Sequence, residues 1–382
     1  MIFLPRALTG RRTFVELVAR ARARDWAYAI PTSRDLRIDL LRGIAVFVMV
    51  VNHFGGASWL FLVTGGDTFF VSAAEAFIFI SGLTVGMVYG AIALSEGLRA
   101  AQIKALVRAW TLYKVTIVLT LALALIAFTF GLPWVNGRQV DNPLSFSIEV
   151  LLLRQTMYLS DVMMLYTFLL LATPLALWLL IKRRAGLLLI ASSALWLAFQ
   201  IGRVQIPWNI VGNGTFNLAA WQLLFFIAMV LGFHRRAVQR ALLHLPRGAT
   251  LILFAILLAL LMQLHRSIGV EAELQWIFAK SALAPGRLFA SCIVFAFAYL
   301  AVTLFWKPIA GAFGWLFLPF GQNALYAYTI HVAIIALWYL ALIGLPADVR
   351  GIAEINTGVQ LLAVLLIWGM IRRQFLFRIV PR

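Results

Sequence analysis

The chain has 382 residues, which is enough for two or three soluble domains. Its composition excludes that class. Hydrophobic residues make up 63% and charged residues 12%, against about 45–50% and about 25% in soluble domains. The composition predicts an all-α integral membrane protein with many spans. The net charge of +18 is typical either of a nucleic-acid-binding protein or of a membrane protein with cationic cytoplasmic loops.

The N-terminal region differs from the rest of the chain. Arginines interrupt its short apolar stretches, and it lacks the single apolar core of a signal peptide. Residues 12–29 fit either a basic amphipathic helix on an anionic membrane surface or a poorly ordered cytoplasmic tail. We therefore predict three regions: a basic cytoplasmic N-terminal segment (1–37), a transmembrane domain (38–371) and a basic cytoplasmic tail (372–382).

Apolar runs of spanning length follow one another after the N-terminal segment. They predict a polytopic helical bundle of about ten transmembrane helices. Residues 144–158 are apolar but contain Glu149 and Arg154, which predicts a helix at the interface or a re-entrant segment. The expected spans are 38–62, 69–93, 109–135, 162–181, 185–202, 218–233, 249–265, 286–306, 315–343 and 355–371.

The distribution of cations favours a topology with both termini in the cytoplasm. With ten spans, 25 of the 32 lysines and arginines fall on the cytoplasmic side, as expected when positive charge is retained inside. This asymmetry explains the net charge without a nucleic-acid partner. Most acidic residues instead lie in or beside the predicted outer loops.

The first predicted span links a cation to a histidine. Arg42 and His53 are 11 residues apart, so on a helix they share a face and lie about 16 Å apart along the axis. Ionisable side chains within spans are costly and are functional candidates. The alternatives are a cytoplasmic anchor for Arg42 and an ordinary hydrogen-bonded core histidine for His53.

Two carboxylates begin later spans. Glu75 shares a helix face with Gly82 and Gly86, whose small size allows close helix packing. It is predicted to face the bundle and to orient a histidine or hold a substrate hydroxyl. Asp161 is either a helix N-cap or the acidic partner of His53.

Further polar residues are predicted at the same depth as His53. Tyr328 and His331 share a face of the ninth span. The candidate catalytic residues are thus His53, Glu75, Asp161 and His331, and the candidate substrate-binding residues are Asn52, Trp221, Gln222 and Tyr328.

A buried histidine beside a carboxylate suits general-base catalysis on a hydroxyl, and it equally suits a proton relay in a transporter. A metal site is disfavoured because no HxxxH or ExxH spacing is present. The single cysteine, Cys292, excludes an intrachain disulfide and a cysteine-based metal site.

These motifs carry a resemblance to a known family. Arg42 followed by His53 resembles the arginine–ten residues–histidine signature of transmembrane acyltransferases, and residues 72–82 resemble that group's acidic-aromatic Ser-Gly motif. The ordered set over about residues 36–335 more specifically resembles the OpgC family, the osmoregulated periplasmic glucan succinyltransferases. The later motifs are residues 108–114, 161–166, 216–225 and 321–331.

The resemblance implies O-acyl transfer in a bacterial inner membrane. The donor would be cytoplasmic succinyl-CoA or acetyl-CoA, and the acceptor a glycan hydroxyl outside. His53 would be the base, assisted or oriented by Glu75 or Asp161. Cations on the inner side would hold the CoA phosphates: Arg42, Arg99, Lys104, Arg108 and Lys114.

Two departures from the family pattern are visible. The second span begins Ser-Ala-Ala-Glu where an aspartate often precedes the glutamate, and Lys114 stands where arginine is expected. A lysine there weakens any bidentate contact with phosphate.

Several alternatives remain open at this point. Outer arginines such as Arg138, Arg154, Arg203 and Arg287 favour a succinyl over an acetyl group if they neutralise its carboxylate, but each also fits a solvated interfacial residue. The hydroxyl attacks the thioester directly or after acyl transfer to His53. A proton-coupled or lipid-linked solute transporter, or an assembly subunit without chemistry, are the competing functions.

Overall fold

The structure, a computed structural model, describes residues 26–28, 34–135, 140–243, 245–268, 276–346 and 349–382. Most of the predicted N-terminal segment 1–37, including nearly all of the candidate amphipathic helix 12–29, lies outside the described residues. Arg138 also lies outside them.

Apart from one isolated bridge between Gln155 and Val211, the regular structure of the described residues is helical. Short helical turns occur at Phe61–Thr64, Gly65–Asp67, Pro133–Val135 and Val349–Gly351. The longer helices are α1 (Leu36–His53), α2 (Ala73–Ser95), α3 (Leu98–Phe130), α4 (Pro143–Leu151), α5 (Asp161–Ile181), α6 (Ala185–Gly202), α7 (Leu218–Phe233), α8 (Arg235–Leu243), α9 (Arg247–Ile268), α10 (Pro285–Leu304), α11 (Trp306–Gln322), α12 (Ala324–Leu342) and α13 (Ala353–Arg372).

The chain is a polytopic helical membrane protein. Among the described residues, eight helices are long and apolar enough to cross a membrane, or nine if the bent pair α7 and α8 is one span. Nine of the ten predicted spans each correspond to one long helix and the tenth to two. By themselves, α1 and α7 do not meet the length and hydropathy required of a span. The 18-residue α1 contains Arg37, Asp39 and Arg42, and α7 has only 16 residues.

The predicted span 315–343 is two helices in the structure. Pro319 lies in the last turn of α11, and the backbone of Asn323 is non-helical. The Asn323 side-chain amide donates to the Pro319 carbonyl at 2.9 Å, so it satisfies an acceptor at the break. The helix that carries Tyr328 and His331 therefore starts at Ala324.

The first predicted span also ends earlier than expected. Helix α1 stops at His53 rather than continuing to residue 62. Gly55 and Gly56 follow with φ of 64° and 72°, a region that glycine adopts without steric cost. The Asn356 side chain fixes this turn by donating to the carbonyls of Gly55 and Ala57 at 2.6 and 2.9 Å. His53 is thereby placed at a helix end.

Glycines allow the central helices to pack closely. A Cβ on Gly82 or Gly86 would overlap the backbone carbonyls of Phe225 and Met229 in α7. A Cβ on Gly43 would likewise overlap the Phe317 carbonyl in α11. Helices α2 and α7, and α1 and α11, thus approach each other at backbone distance, as is common for small residues in membrane bundles.

Helix lengths set the remaining architecture. Helix α3 has 33 residues, about 50 Å at the usual rise, so it exceeds the hydrocarbon thickness of about 30 Å. Helix α4 has nine residues, which is too short to cross and fits the predicted interfacial segment. Helix α9 packs mainly on α10 and buries little of its surface.

Candidate active site

Two histidines meet in the interior of the bundle. Nδ1 of His53, at the end of α1, lies 2.9 Å from Nε2 of His331, in the third turn of α12. The rings are stacked with centroids 5.2 Å apart. Since a hydrogen bond joins these two atoms, one ring donates and the other accepts. His53 therefore presents only its Nε2 to other groups.

The surroundings of the pair hold His331 in place. His331 is fully buried, and the Tyr328 ring packs edge-on against it at 4.7 Å. The Tyr328 hydroxyl donates to the Leu159 carbonyl at 2.7 Å, so it anchors α12 to the loop before α5. Nδ1 of His331 has no hydrogen-bond partner among the described residues.

Asp161 makes no hydrogen bond to either histidine among the described residues. Its carboxylate accepts the Val162 amide at 2.9 Å, and it interacts electrostatically with Tyr328. Lys280 acts electrostatically on both Asp161 and His53 and pairs with Asp67 at 2.8 Å. Asn52, next to His53, accepts the Thr64 hydroxyl at 2.7 Å.

Glu75 lies in a different environment from the one predicted. Its carboxylate accepts Nε of Arg287 at 2.5 Å and both the backbone amide and the hydroxyl of Ser72 at 2.8 and 2.7 Å. Glu75 is fully buried and Arg287 is 5% exposed. These bonds close the N-terminus of α2 with a capping box. They also engage Arg287, one of the predicted neutralisers of a succinyl carboxylate.

Trp221 and Gln222 are engaged in helix packing. The Trp221 indole donates to the Thr215 carbonyl at 3.0 Å. The Gln222 side chain accepts the Ser192 hydroxyl at 2.5 Å and donates to the Ser192 carbonyl at 2.8 Å. Both side chains are buried. The Gln222 bonds join α6 to α7 and the Trp221 bond holds the loop before α7, so neither side chain bonds to the histidine pair.

Arg42 lies between three helices. Its guanidinium donates to the Thr84 hydroxyl of α2, lies 3.4 Å from the Gly321 carbonyl of α11, and is 3.7 Å from Asp39. Its electrostatic neighbours include Arg108. Of the other predicted phosphate-binding cations, Arg108 is thus within electrostatic range of Arg42.

The other predicted CoA-binding cations are spread along α3. Lys104 pairs with Glu96 at 2.8 Å, whereas Arg99 and Lys114 are exposed. Arg108 donates to the carbonyl of the C-terminal residue, Arg382, at 2.6 Å. Arg99 and Lys114 are about 22 Å apart along the axis, so one phosphate group cannot contact both.

Sequence reasoning missed an aromatic cluster beside the histidines. The ring of Tyr339 packs against Trp134 at 4.8 Å, and Trp134 stacks on Tyr158 at 5.7 Å. Arg350 lies over the Tyr339 ring at 4.7 Å and donates to the Phe54 carbonyl at 3.0 Å. In the sequence, the only sign of this cluster was the position of Arg350 just before an apolar helix.

Tyr158 can act as a hydrogen-bond donor in this cluster. Partial burial, with Tyr339 and Asp161 nearby, raises the pKa of its phenol above the ordinary value. The hydroxyl therefore stays protonated at neutral pH.

Among the described residues, no group of three or more histidine, cysteine, aspartate or glutamate side chains is arranged to hold a metal ion.

Comparison with known proteins identifies one family. The family described as OpgC protein matches residues 34–378 of this chain, which covers all the helices from α1 to α13. No curated protein matches the chain.

Proposed function

The chain belongs to the OpgC family, and on that premise we propose that it is a membrane O-acyltransferase that modifies a glycan. The donor is a cytoplasmic acyl-CoA, succinyl-CoA or acetyl-CoA, and the acceptor is a glycan hydroxyl outside the bacterial inner membrane. The observation that carries the proposal is the contact at 2.9 Å between His53 and His331 within the bundle.

His53 acts as the general base. Its Nε2 takes the proton of the acceptor hydroxyl while the hydroxyl oxygen attacks the thioester carbonyl. The carbon–sulfur bond breaks, the acyl ester forms, and the CoA thiolate leaves and takes up a proton. His331 orients the imidazole through Nδ1 and spreads the positive charge that develops on it. The end of α1 supports this charge, because the C-terminus of a helix is the negative end of its dipole.

Asp161 assists this reaction through space. Lys280 acts electrostatically on both Asp161 and His53, and a carboxylate near the histidine pair would stabilise an imidazolium. Glu75 acts differently: its bonds to Arg287 and Ser72 fix the start of α2. Glu75 is therefore a positioning residue, and not the second acid of the reaction.

The donor reaches the site from the predicted cytoplasmic side. Arg42 and Arg108, which neighbour each other electrostatically, bind the CoA phosphates, and Arg99 and Lys104 contribute long-range attraction. Arg42 and His53 lie on the same face of α1, so the pantetheine arm runs beside α1 from the phosphates to the base.

The acceptor binds at the other end of the pair. Aromatic rings with nearby cations suit a sugar that carries hydroxyls. The cluster of Trp134, Tyr158 and Tyr339 with Arg350 offers this combination next to the turn that follows His53. Arg350 also favours a succinyl group, since it can pair with a carboxylate.

The decisive experiment measures acyl transfer directly. Purified protein in proteoliposomes is given radiolabelled succinyl-CoA or acetyl-CoA with and without a glucan acceptor. The expected result is acceptor-dependent release of free CoA together with label on the glucan. The control for substitution of His53 is His234→Ala, which removes an exposed histidine and should leave acyl transfer unchanged. Flux of unmodified solute without consumption of acyl-CoA would contradict the proposal and favour a transporter.

A further inference from the structure

An apolar groove separates the central helices from the peripheral pair α9 and α10. The cavity has a volume of about 580 Å³. Its wall on α1 consists of one helix face that includes Leu41, Ala45 and Val48, and its wall on α10 includes Phe295 and Ala296. Arg42 and His53 do not line this groove, although Asn52, the neighbour of His53, does.

A second cavity, of about 450 Å³, adjoins the groove at the predicted cytoplasmic end. Gln239 and Tyr299 line both cavities, so the two meet at these residues. Four arginines line the second cavity: Arg37, Arg236, Arg240 and Arg247.

The positive charge of the second cavity is only partly balanced. Arg37 is bound by Asp35 at 2.6 Å and held between the rings of Tyr28 and Tyr299 at 4.6 and 4.7 Å. Among the described residues, no carboxylate lies within ion-pair distance of the three remaining arginines: Arg236, Arg240 and Arg247. Three uncompensated guanidinium groups therefore line a cavity that adjoins an apolar groove.

The orientation of α8 indicates what these arginines bind. Helix α8 is bent by 80° relative to α7, so it runs across the end of the span rather than along it. Its arginines then lie where phospholipid headgroups lie. A cationic amphipathic segment at the cytoplasmic surface is attracted to anionic lipids.

We propose that these two cavities together form a binding site for one anionic phospholipid. Its phosphate is held by Arg236, Arg240 and Arg247, and one acyl chain fills the groove between α1, α2 and α10. Charge complementarity selects an anionic headgroup over a zwitterionic one. The apolar wall suits a hydrocarbon chain and offers few partners to the amide groups of a pantetheine arm. This site does not depend on the proposed acyl transfer.

The site is tested by native mass spectrometry of the full chain. Protein is released from mixed micelles that contain equal amounts of phosphatidylglycerol and phosphatidylcholine. We expect the wild-type chain to retain one phosphatidylglycerol with a preference of about 10-fold or more over phosphatidylcholine, since each basic residue near the surface adds to the attraction. The double variant Arg236→Gln/Arg240→Gln should lose this preference, and Ala296→Trp should reduce retention of both lipids by filling the groove.

The control is a second pair of exposed arginines on the predicted cytoplasmic side. Arg183→Gln/Arg184→Gln removes the same charge from the turn between α5 and α6, away from both cavities, and should keep the preference. Equal retention of the two lipids by the wild-type chain, or equal loss in both double variants, would overturn the proposal. Displacement of the bound lipid by soluble CoA would also overturn it, because the basic cavity would then hold a nucleotide.

Discussion

The interior of the bundle contains two polar pairs that differ in how completely they are bonded. In the pair of Glu75 and Arg287, both carboxylate oxygens accept hydrogen bonds, from Arg287 and from Ser72. In the pair of His53 and His331, the described residues provide no further hydrogen bond to Nε2 of His53 or to Nδ1 of His331. We call the first pair fully bonded because both oxygens of its carboxylate accept hydrogen bonds, whereas Nε2 of His53 remains available to a substrate. The first pair therefore supports the fold, and the second is suited to chemistry.

The largest effect is expected at His53, because it holds the only ring nitrogen proposed to move the acceptor proton. His53→Ala should lower kcat for acyl transfer by about 10²–10⁴-fold, the usual contribution of a general base. Thermal unfolding should change little, since His53 is only partly buried. Activity equal to that of the wild type would show that His53 is not the base. It would also contradict the distinction drawn between the two pairs.

The second prediction concerns the fully bonded pair. Glu75→Ala leaves Arg287 buried without its counter-ion, so the free energy of unfolding should fall by about 3–5 kcal/mol. The measurement is the thermal or denaturant midpoint of detergent-solubilised protein. The double variant Glu75→Leu/Arg287→Met, which removes both charges, should recover much of the loss. A Glu75→Ala variant with wild-type stability and no activity would instead make Glu75 a catalytic residue.

The third prediction separates positioning from proton transfer. His331→Leu removes the partner that orients His53 and should lower kcat by about 10–100-fold, in the range seen when supporting residues of a site are mutated. KM for acyl-CoA should stay within about twofold, since His331 contacts the base and not the donor. His331→Gln keeps a polar group that can bond to Nδ1 of His53, so it should retain more activity than His331→Leu. Equal kcat in the two variants would contradict an orienting role.

The smallest effect is expected at a surface pair. Lys104 and Glu96 are both about half exposed, at 49% and 52%, and such pairs contribute about 0.2–1 kcal/mol to stability. Lys104→Ala should therefore leave the unfolding midpoint nearly unchanged, and KM for acyl-CoA should rise modestly and less at high salt. A loss of stability as large as that of Glu75→Ala would show that exposure does not distinguish these pairs.

Much of the fold was predictable because it follows from local composition. Spanning helices require long apolar runs, so nine of the ten predicted spans each correspond to one long helix of the structure, and only 315–343 is divided into two. Their ends were less predictable. The stop of α1 at His53 depends on a side chain from α13, Asn356, which is remote in sequence. The break at Asn323 depends on a local bond that an apolar pattern does not reveal.

The candidate site was only partly predictable from the sequence, because its contacts also join residues that are remote in the chain. Helical periodicity placed Tyr328 and His331 on one face, and the structure places both beside His53. Periodicity says nothing about which helix a carboxylate meets. Glu75 meets Arg287, a partner 212 residues away, and no spacing rule predicts that contact.

The sequence by itself determined the membrane class, the approximate helix positions, the predicted side of the cationic loops and the family resemblance. These features depend on hydropathy, charge and short motifs, which are properties of consecutive residues. Only the tertiary structure decided which buried polar groups meet. It paired His53 with His331, assigned Glu75 to Arg287, and placed three arginines around a cavity beside an apolar groove. Such contacts are set by helix packing, and the glycines at the helix crossings fix how closely those helices approach.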